Sequence, residues 1–100
     1  MQTRLLKQYR AIAHKLNPIV TIGANGITDN IKLELDRALN DHELVKIKVN
    51  IGDRDDRTAA INELAAHCSA EIVQTIGRTA TLLRPTDNPD PGKSNLQRPL

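Results

Sequence analysis

Aromatic side chains are nearly missing from this chain: Tyr9 is the sole ring, and there is no Phe or Trp. That scarcity excludes recognition through a platform of exposed rings, the device by which many sheet-based proteins stack bases. Cysteine is as scarce. Cys68 stands alone, so no internal disulfide can form, and a single thiol among apolar helical positions reads as packing in a reducing cytoplasm. No stretch of about eighteen apolar residues occurs, and the N-terminus has no apolar leader core, so neither a membrane span nor an export signal is expected. Negative charge is the third absence. No acidic residue precedes Asp29, while Arg4, Lys7, Arg10 and Lys15 all fall in that stretch. The whole chain carries a formal charge of only +2, so the distribution of charge is more telling than its total.

Catalytic signatures are absent as well. There is no Walker sequence, nucleophile elbow or dinucleotide fingerprint. His14, His42 and His67 fall on three different predicted elements, without an i, i+4 partner or a cysteine pair, so no metal site is expected. Asp53-Arg54-Asp55-Asp56-Arg57 alternates in sign at a helix start, which reads as capping and solvated ion pairs. The sequence therefore implies no catalysis, no cofactor and no small-molecule substrate. With 100 residues, one core is expected.

What is present is a clear succession of patterns. From Thr3 to Leu16, Leu5, Leu6, Tyr9, Ile12, Ala13 and Leu16 share one arc at about 100° per residue, with Arg4, Lys7, Arg10, His14 and Lys15 opposite. A solvated helix face ordinarily mixes signs; one without acids suits a polyanion. Asn17-Pro18 ends that helix, and a strand follows at Ile19–Ile22. Thr28 caps a second helix carrying Ile31, Leu35, Ala38 and His42 to about residue 41. Residues 44–51 alternate, with Val45, Ile47, Val49 and Ile51 on one face and Lys46, Lys48 and Asn50 on the other. Gly52 breaks the strand, and Asp53 with Asp56 forms a capping box for a third helix whose stripe is Ala60, Ile61, Leu64, Ala65 and Cys68. Ile72–Ile76 and Thr79–Leu83 are strands joined by Gly77-Arg78, the spacing of an antiparallel hairpin. From residue 86 onward, proline mixed with Asp, Asn, Gly and Ser predicts a disordered tail, residues 86–100, after one domain over residues 1–85. The order α-β-α-β-α-β-β gives an α/β (α+β) two-layer sandwich: a mixed four-stranded sheet with three helices.

Gly23-Ala24-Asn25-Gly26 lies between the first strand and the second helix. A lone G-x-x-G is most often a turn. Here the glycines, and Asn25 as the residue that best accepts a left-handed conformation, leave the backbone unscreened. The helix behind it points free N–H groups and a positive dipole end outward, which suits a phosphate.

Four segments in this order resemble the CRM-domain family, the chloroplast RNA splicing and ribosome maturation domain, in its stand-alone bacterial YhbY-like form. They are residues 13–20 (Ala13-His14-Lys15-Leu16-Asn17-Pro18-Ile19-Val20), residues 22–28 around the glycine loop, residues 42–48, and residues 73–79. The resemblance spans residues 3–85. It implies a fold similar to the C-terminal domain of bacterial translation initiation factor three with an added N-terminal helix. It also implies RNA as the partner, ribosomal RNA of the large-subunit precursor in particular. Two departures stand out: Ala24 occupies a position often polar or basic in relatives, and Leu83 one often held by tyrosine.

Resemblance and residues together predict a monomeric cytoplasmic RNA-binding protein. Its contacts would be the amides of Gly23, Ala24, Asn25 and Gly26, the cations Arg4, Lys7, Arg10, His14 and Lys15, and, further out, Lys46, Lys48 and Arg78. The alternative is a protein-interaction module whose basic helix docks an acidic surface of a ribosomal protein or assembly factor.

Overall fold

In the computed structural model, which describes residues 3–97, the chain runs α1 (Thr3–Ala13), β1 (Pro18–Ile22), α2 (Asp29–His42), β2 (Leu44–Val49), α3 (Arg54–His67), β3 (Glu71–Ile76) and β4 (Thr79–Leu83). The strands form one mixed sheet in the order β1-β2-β4-β3. β1 runs parallel to β2, which is possible because α2 supplies the crossover between them, and the other pairings are antiparallel.

Two rules of local chemistry set the helix starts. Thr28 Oγ1 accepts the Ile31 N–H at 3.2 Å at the head of α2. Asp53 and Asp56 exchange backbone and side-chain bonds in a full capping box at the head of α3. α1 ends three residues sooner than its apolar arc predicts. Lys15 N–H bonds Ile12 O and Leu16 N–H bonds Ala13 O, a tightened final turn that delivers the chain to Pro18 in extended form. β2 likewise stops at Val49, two residues short of the alternation, although Asn50 N–H still reaches Ile22 O at 2.8 Å. Gly77 alone of the hairpin pair has positive φ, +56°, as a two-residue turn with glycine first requires.

The alternation of β2 divides the core. Val45, Ile47 and Val49 join Val20, Ile22, Ala80 and Leu82 on the face covered by α2 and α3, where Leu35, Leu39, Ile61 and Leu64 meet them. On the opposite face Leu44, Val73 and Leu83 are covered by Leu6, Tyr9, Ile12 and Leu16. The helices thus occupy both faces of the sheet, two on one side and α1 on the other, which refines the expected two-layer sandwich. α1 is short, and it covers only part of its face.

The chain beyond Leu83 does not run free. Residues 86–97 contain no helix or strand, yet Ser94 and Asn95 are buried and Leu96 packs into the cluster beneath α1. The low apolar content of this segment concealed a polar mode of docking: Ser94, Asn95 and Thr86 bond to Glu43, Leu44 and His42 at the α2–β2 junction. The remainder of the tail expected to be disordered, residues 98–100, lies outside the described residues.

Candidate functional site

The registers of the sheet define what α1 leaves open. Thr21 is level with Lys48, Lys48 with Thr79, and Thr79 with Ile76; one row nearer α1, Lys46 is level with Thr81, and Thr81 with Gln74. Side chains that neighbour one another across strands share a face. These two rows form a shelf on the face that carries α1, open along the outer row and closed down in the inner row at Thr81, which is buried. Lys48 and Ile76 are exposed on it, while Lys46 is half-buried. Where α1 ends, Ala13 and His14 meet Lys46, Gln74, Ile76, Thr79 and Thr81 around a groove of about 230 Å³.

Loop 23–26 leaves the sheet at the Lys48 end. Ile22, the last residue of β1, is level with Val49, and Val49 N–H bonds Arg78 O at 2.7 Å, so the glycine loop and the Gly77-Arg78 turn stand at the same end of the sheet. Within the loop, Gly26 N–H donates to Gly23 O at 2.9 Å, closing a four-residue turn. The left-handed residue is Gly26, at φ +69°, and not Asn25. This alters the expected cradle in two ways. The Gly26 amide is already used inside the turn, which leaves those of Gly23, Ala24 and Asn25, all exposed, as the loop amides facing no protein acceptor. The α2 N-terminus is also partly served from within, by Thr28 Oγ1 on the Ile31 amide and by the Asp29 carboxylate in the first turn. Any anion at this loop is held by turn amides and neighbouring cations more than by the helix dipole.

Gly23 is informative for the opposite reason. Its φ is not positive, and a Cβ placed on it would meet nothing within 4 Å. Neither conformation nor packing in the protein requires glycine there, so what the missing side chain leaves clear is access from outside.

The predicted cations separate into groups. Arg4, Lys7 and Arg10 are exposed on α1. His14 and Lys15 fall in the turn after it; His14 borders the shelf groove, and Lys15 borders a second cavity of about 210 Å³ shared with Lys46, Asn17 and His42. Lys46 thus stands between the α1 turn and the sheet. Arg78 is exposed at the far end beside the glycine loop. The structure joins His14, Lys46 and Lys48 to the open shelf directly, whereas Arg4, Lys7 and Arg10 line the outer side of the helix that bounds it.

Sequence reasoning missed two sets of residues. Gln74, Thr79 and Thr81 pave the shelf; the outward positions of β3 and β4 were legible as alternation, but which of them α1 covers depended on the register. Arg54 and Arg57, read as solvated, line a cleft of about 410 Å³ with Thr58, Asn62 and Gly77. Asp53, Asp55 and Asp56 stand next to them in sequence, and Arg57 Nη1 already donates to Gly52 O at 3.3 Å, so that cleft is not a purely cationic one. Among the described residues no cluster of His, Cys, Asp or Glu is placed to hold a metal ion, and no helix is long and apolar enough to cross a membrane.

The sequence model of the CRS1/YhbY (CRM) domain matches residues 1–84. The chain belongs to that family. A relative from Pseudomonas aeruginosa, named "Probable RNA-binding protein", is 42% identical over 92 residues, covering 92% of this chain and 88% of the relative. A Haemophilus influenzae relative, named "RNA-binding protein", is 39% identical over 87 residues, covering 87% and 88%. Among solved structures, a hypothetical protein of Staphylococcus aureus superposes with a TM-score of 0.76 at 28% identity, covering 88% of this chain and 92% of that one. The three helices and mixed four-stranded sheet are thus the CRM architecture.

Proposed function

We propose that this CRM-domain protein binds RNA without performing chemistry on it, and that its target is ribosomal RNA of the large-subunit precursor, which it grips by phosphates and shape during assembly. One observation carries the reading. The sheet face beside α1 is open at the end where loop 23–26 emerges, and it presents Lys46, Lys48 and His14. Around it lie Arg4, Lys7, Arg10 and Lys15 on one side and Arg78 on the other. Relatives named for RNA binding support this choice of polyanion. Phosphate contacts of this kind position a protein on structured RNA, and the near absence of rings argues for such contacts over stacking. We place the protein in the cytoplasm as a monomer.

Titration with a fragment of large-subunit precursor RNA at 50 and 200 mM salt tests the mechanism. Five phosphate contacts released together predict a loss of about a hundredfold in affinity over that range. Affinity that does not change with salt overturns the reading, and association with ribosomal particles that survives nuclease treatment would assign the basic surface to a protein partner instead.

A further inference from the structure

The shelf groove has features that phosphate contacts leave unexplained. Its 230 Å³ is below the roughly 300–1,000 Å³ of pockets that enclose whole small molecules, so its occupant is one fragment of a larger chain. Its lining is mixed. Ile76, 55% exposed, offers apolar surface, with the buried Ala13 and Thr81 at the floor, while Thr79 and Gln74 offer polar groups and Lys46 borders the side toward the basic turn. An unpaired nucleobase matches that mixture, with an apolar face and a hydrogen-bonding edge.

Gln74 gives the groove its chemistry. Its Oε1 is buried with no hydrogen-bond partner, the one such side-chain atom among the described residues. The irregularity in β3 between Ile72 and Gln74 explains how it arises: the bulge turns Val73 under α1 and sets Gln74 beside it, level with Thr81, where α1 ends. A carboxamide has an acceptor at one end and two donors at the other, and its terminal torsion is soft. Rotation about that bond is what would bring the oxygen to the groove beside the amide nitrogen. A buried acceptor without a donor favours any bound state that supplies one.

We propose that the groove takes one unpaired adenine of the bound RNA and that Gln74 reads its edge, the oxygen accepting from N6 and the amide donating to N7. This rests on the RNA reading above and adds to it: the loop and the lysines hold the backbone, and Gln74 supplies the base preference.

The test uses stem RNAs identical except for one bulged nucleotide, A, C, G or U, titrated against the full chain. Wild type should prefer the adenine bulge by about five- to a hundredfold. Gln74→Leu should erase that ranking while the slope of affinity against salt stays unchanged. Gln74→Glu keeps the side chain's size but loses the donor, and should erase the ranking as well; circular dichroism establishes that both variants are folded. Adenosine monophosphate should shift the Gln74 side-chain amide resonances in wild type. Binding without an adenine preference, or a preference retained in both folded variants, overturns the groove inference and leaves RNA binding standing. Failure of wild type to bind any of these RNAs at low salt overturns the RNA reading itself.

Discussion

Ser94 Oγ donates to Glu43 Oε1 at 2.6 Å, joining residues 51 positions apart at a buried site. The other oxygen of the same carboxylate accepts the Thr86 N–H at 2.8 Å. Glu43 is itself the residue at which α2 turns into β2, at φ +61°, a conformation that a non-glycine side chain adopts at a cost of about 1–3 kcal/mol. Asn95 adds bonds to His42 O and Leu44 O, and Leu96 reaches the α1 cluster. The tail therefore ties the junction of α2 and β2 to the layer formed by α1.

Glu43→Ala leaves the Ser94 hydroxyl and the Thr86 amide without their acceptor, so it should lower stability by about 1–3 kcal/mol. Removing residues 91–100 should also lower the melting temperature, because it uncovers the Glu43 carboxylate and takes Leu96 from beneath α1. Thermal unfolding followed by circular dichroism measures both. A truncated chain that melts with the wild type would show that the tail contributes nothing to the fold.

Arg84 ties the other side of the molecule. Its guanidinium pairs with Asp36 Oδ1 at 2.6 Å, and it also donates to Asp36 O, Asn40 Oδ1 and Cys68 O, fastening the end of β4 to α2 and to the end of α3. The Asp36 side chain is 53% exposed, so the ion pair alone is worth little; the value lies in the fork that serves four acceptors at once. Arg84→Lys, which keeps the charge and loses the planar fork, should therefore destabilise nearly as much as Arg84→Ala, by about 1–3 kcal/mol. Denaturant unfolding of the two variants separates charge from geometry.

The Cys68 thiol is held above its ordinary pKa, first by burial and then by the Asp36 carboxylate, with Arg84 acting in the opposite direction. The folded state thus keeps the thiol proton longer than the unfolded chain does. Stability from this group is complete below the unfolded thiol's pKa and is lost as pH rises through the folded one. Wild type should lose more melting temperature than Cys68→Ala between neutral and alkaline pH, and its thiol should react slowly with a disulfide reagent at mildly alkaline pH until the protein unfolds.

The sequence made the element order legible because each element announces itself locally. Thr28 and Asp53 cap, Pro18 and Gly77 interrupt, and Lys46 and Lys48 alternate with Val45, Ile47 and Val49. The covered part of the sheet was not legible, since that depends on α1 crossing only Leu44, Val73 and Leu83, a matter of register between distant segments. For the same reason Gln74 was invisible: its place follows from a bulge that no composition rule marks. The tail misled in the other direction. Burial through Ser94 and Asn95 rests on hydrogen bonds to Glu43 and Leu44, which a search for apolar residues does not register.

The two glycines of the loop should behave differently on substitution. Gly26→Ala forces a Cβ onto a backbone at φ +69° and should lower stability by about 1–2 kcal/mol. Gly23→Ala meets neither strain nor contact and should leave stability within about 0.5 kcal/mol of wild type. Gly23→Asp, equally tolerated by the fold, puts a negative charge beside the loop amides and should weaken RNA binding at least tenfold. That makes Gly23 a sharper probe of the loop than Gly26, where lost binding and lost folding would arrive together. Wild-type affinity in Gly23→Asp would remove the loop from the interface.

On the proposed RNA reading, two pairs of cations distinguish the directions in which RNA would leave the loop. Lys46 and Lys48 lie on the sheet face that carries α1, with Lys46 at the groove beside the turn after that helix, whereas Arg54 and Arg57 border the cleft they share with Gly77, with Asp53, Asp55 and Asp56 next to them in sequence. Each phosphate contact contributes about 0.7–0.9 to the slope of log affinity against log salt. Replacing both lysines with alanine should therefore flatten that slope by about 1.4–1.8, with every RNA sequence weakened alike. Replacing both arginines should change it little, because three carboxylates adjoin them in sequence and Arg57 is engaged with Gly52 O. If the arginine pair carried the slope and the lysine pair did not, the RNA would run over α3, and the shelf, together with its groove, would lie off its path.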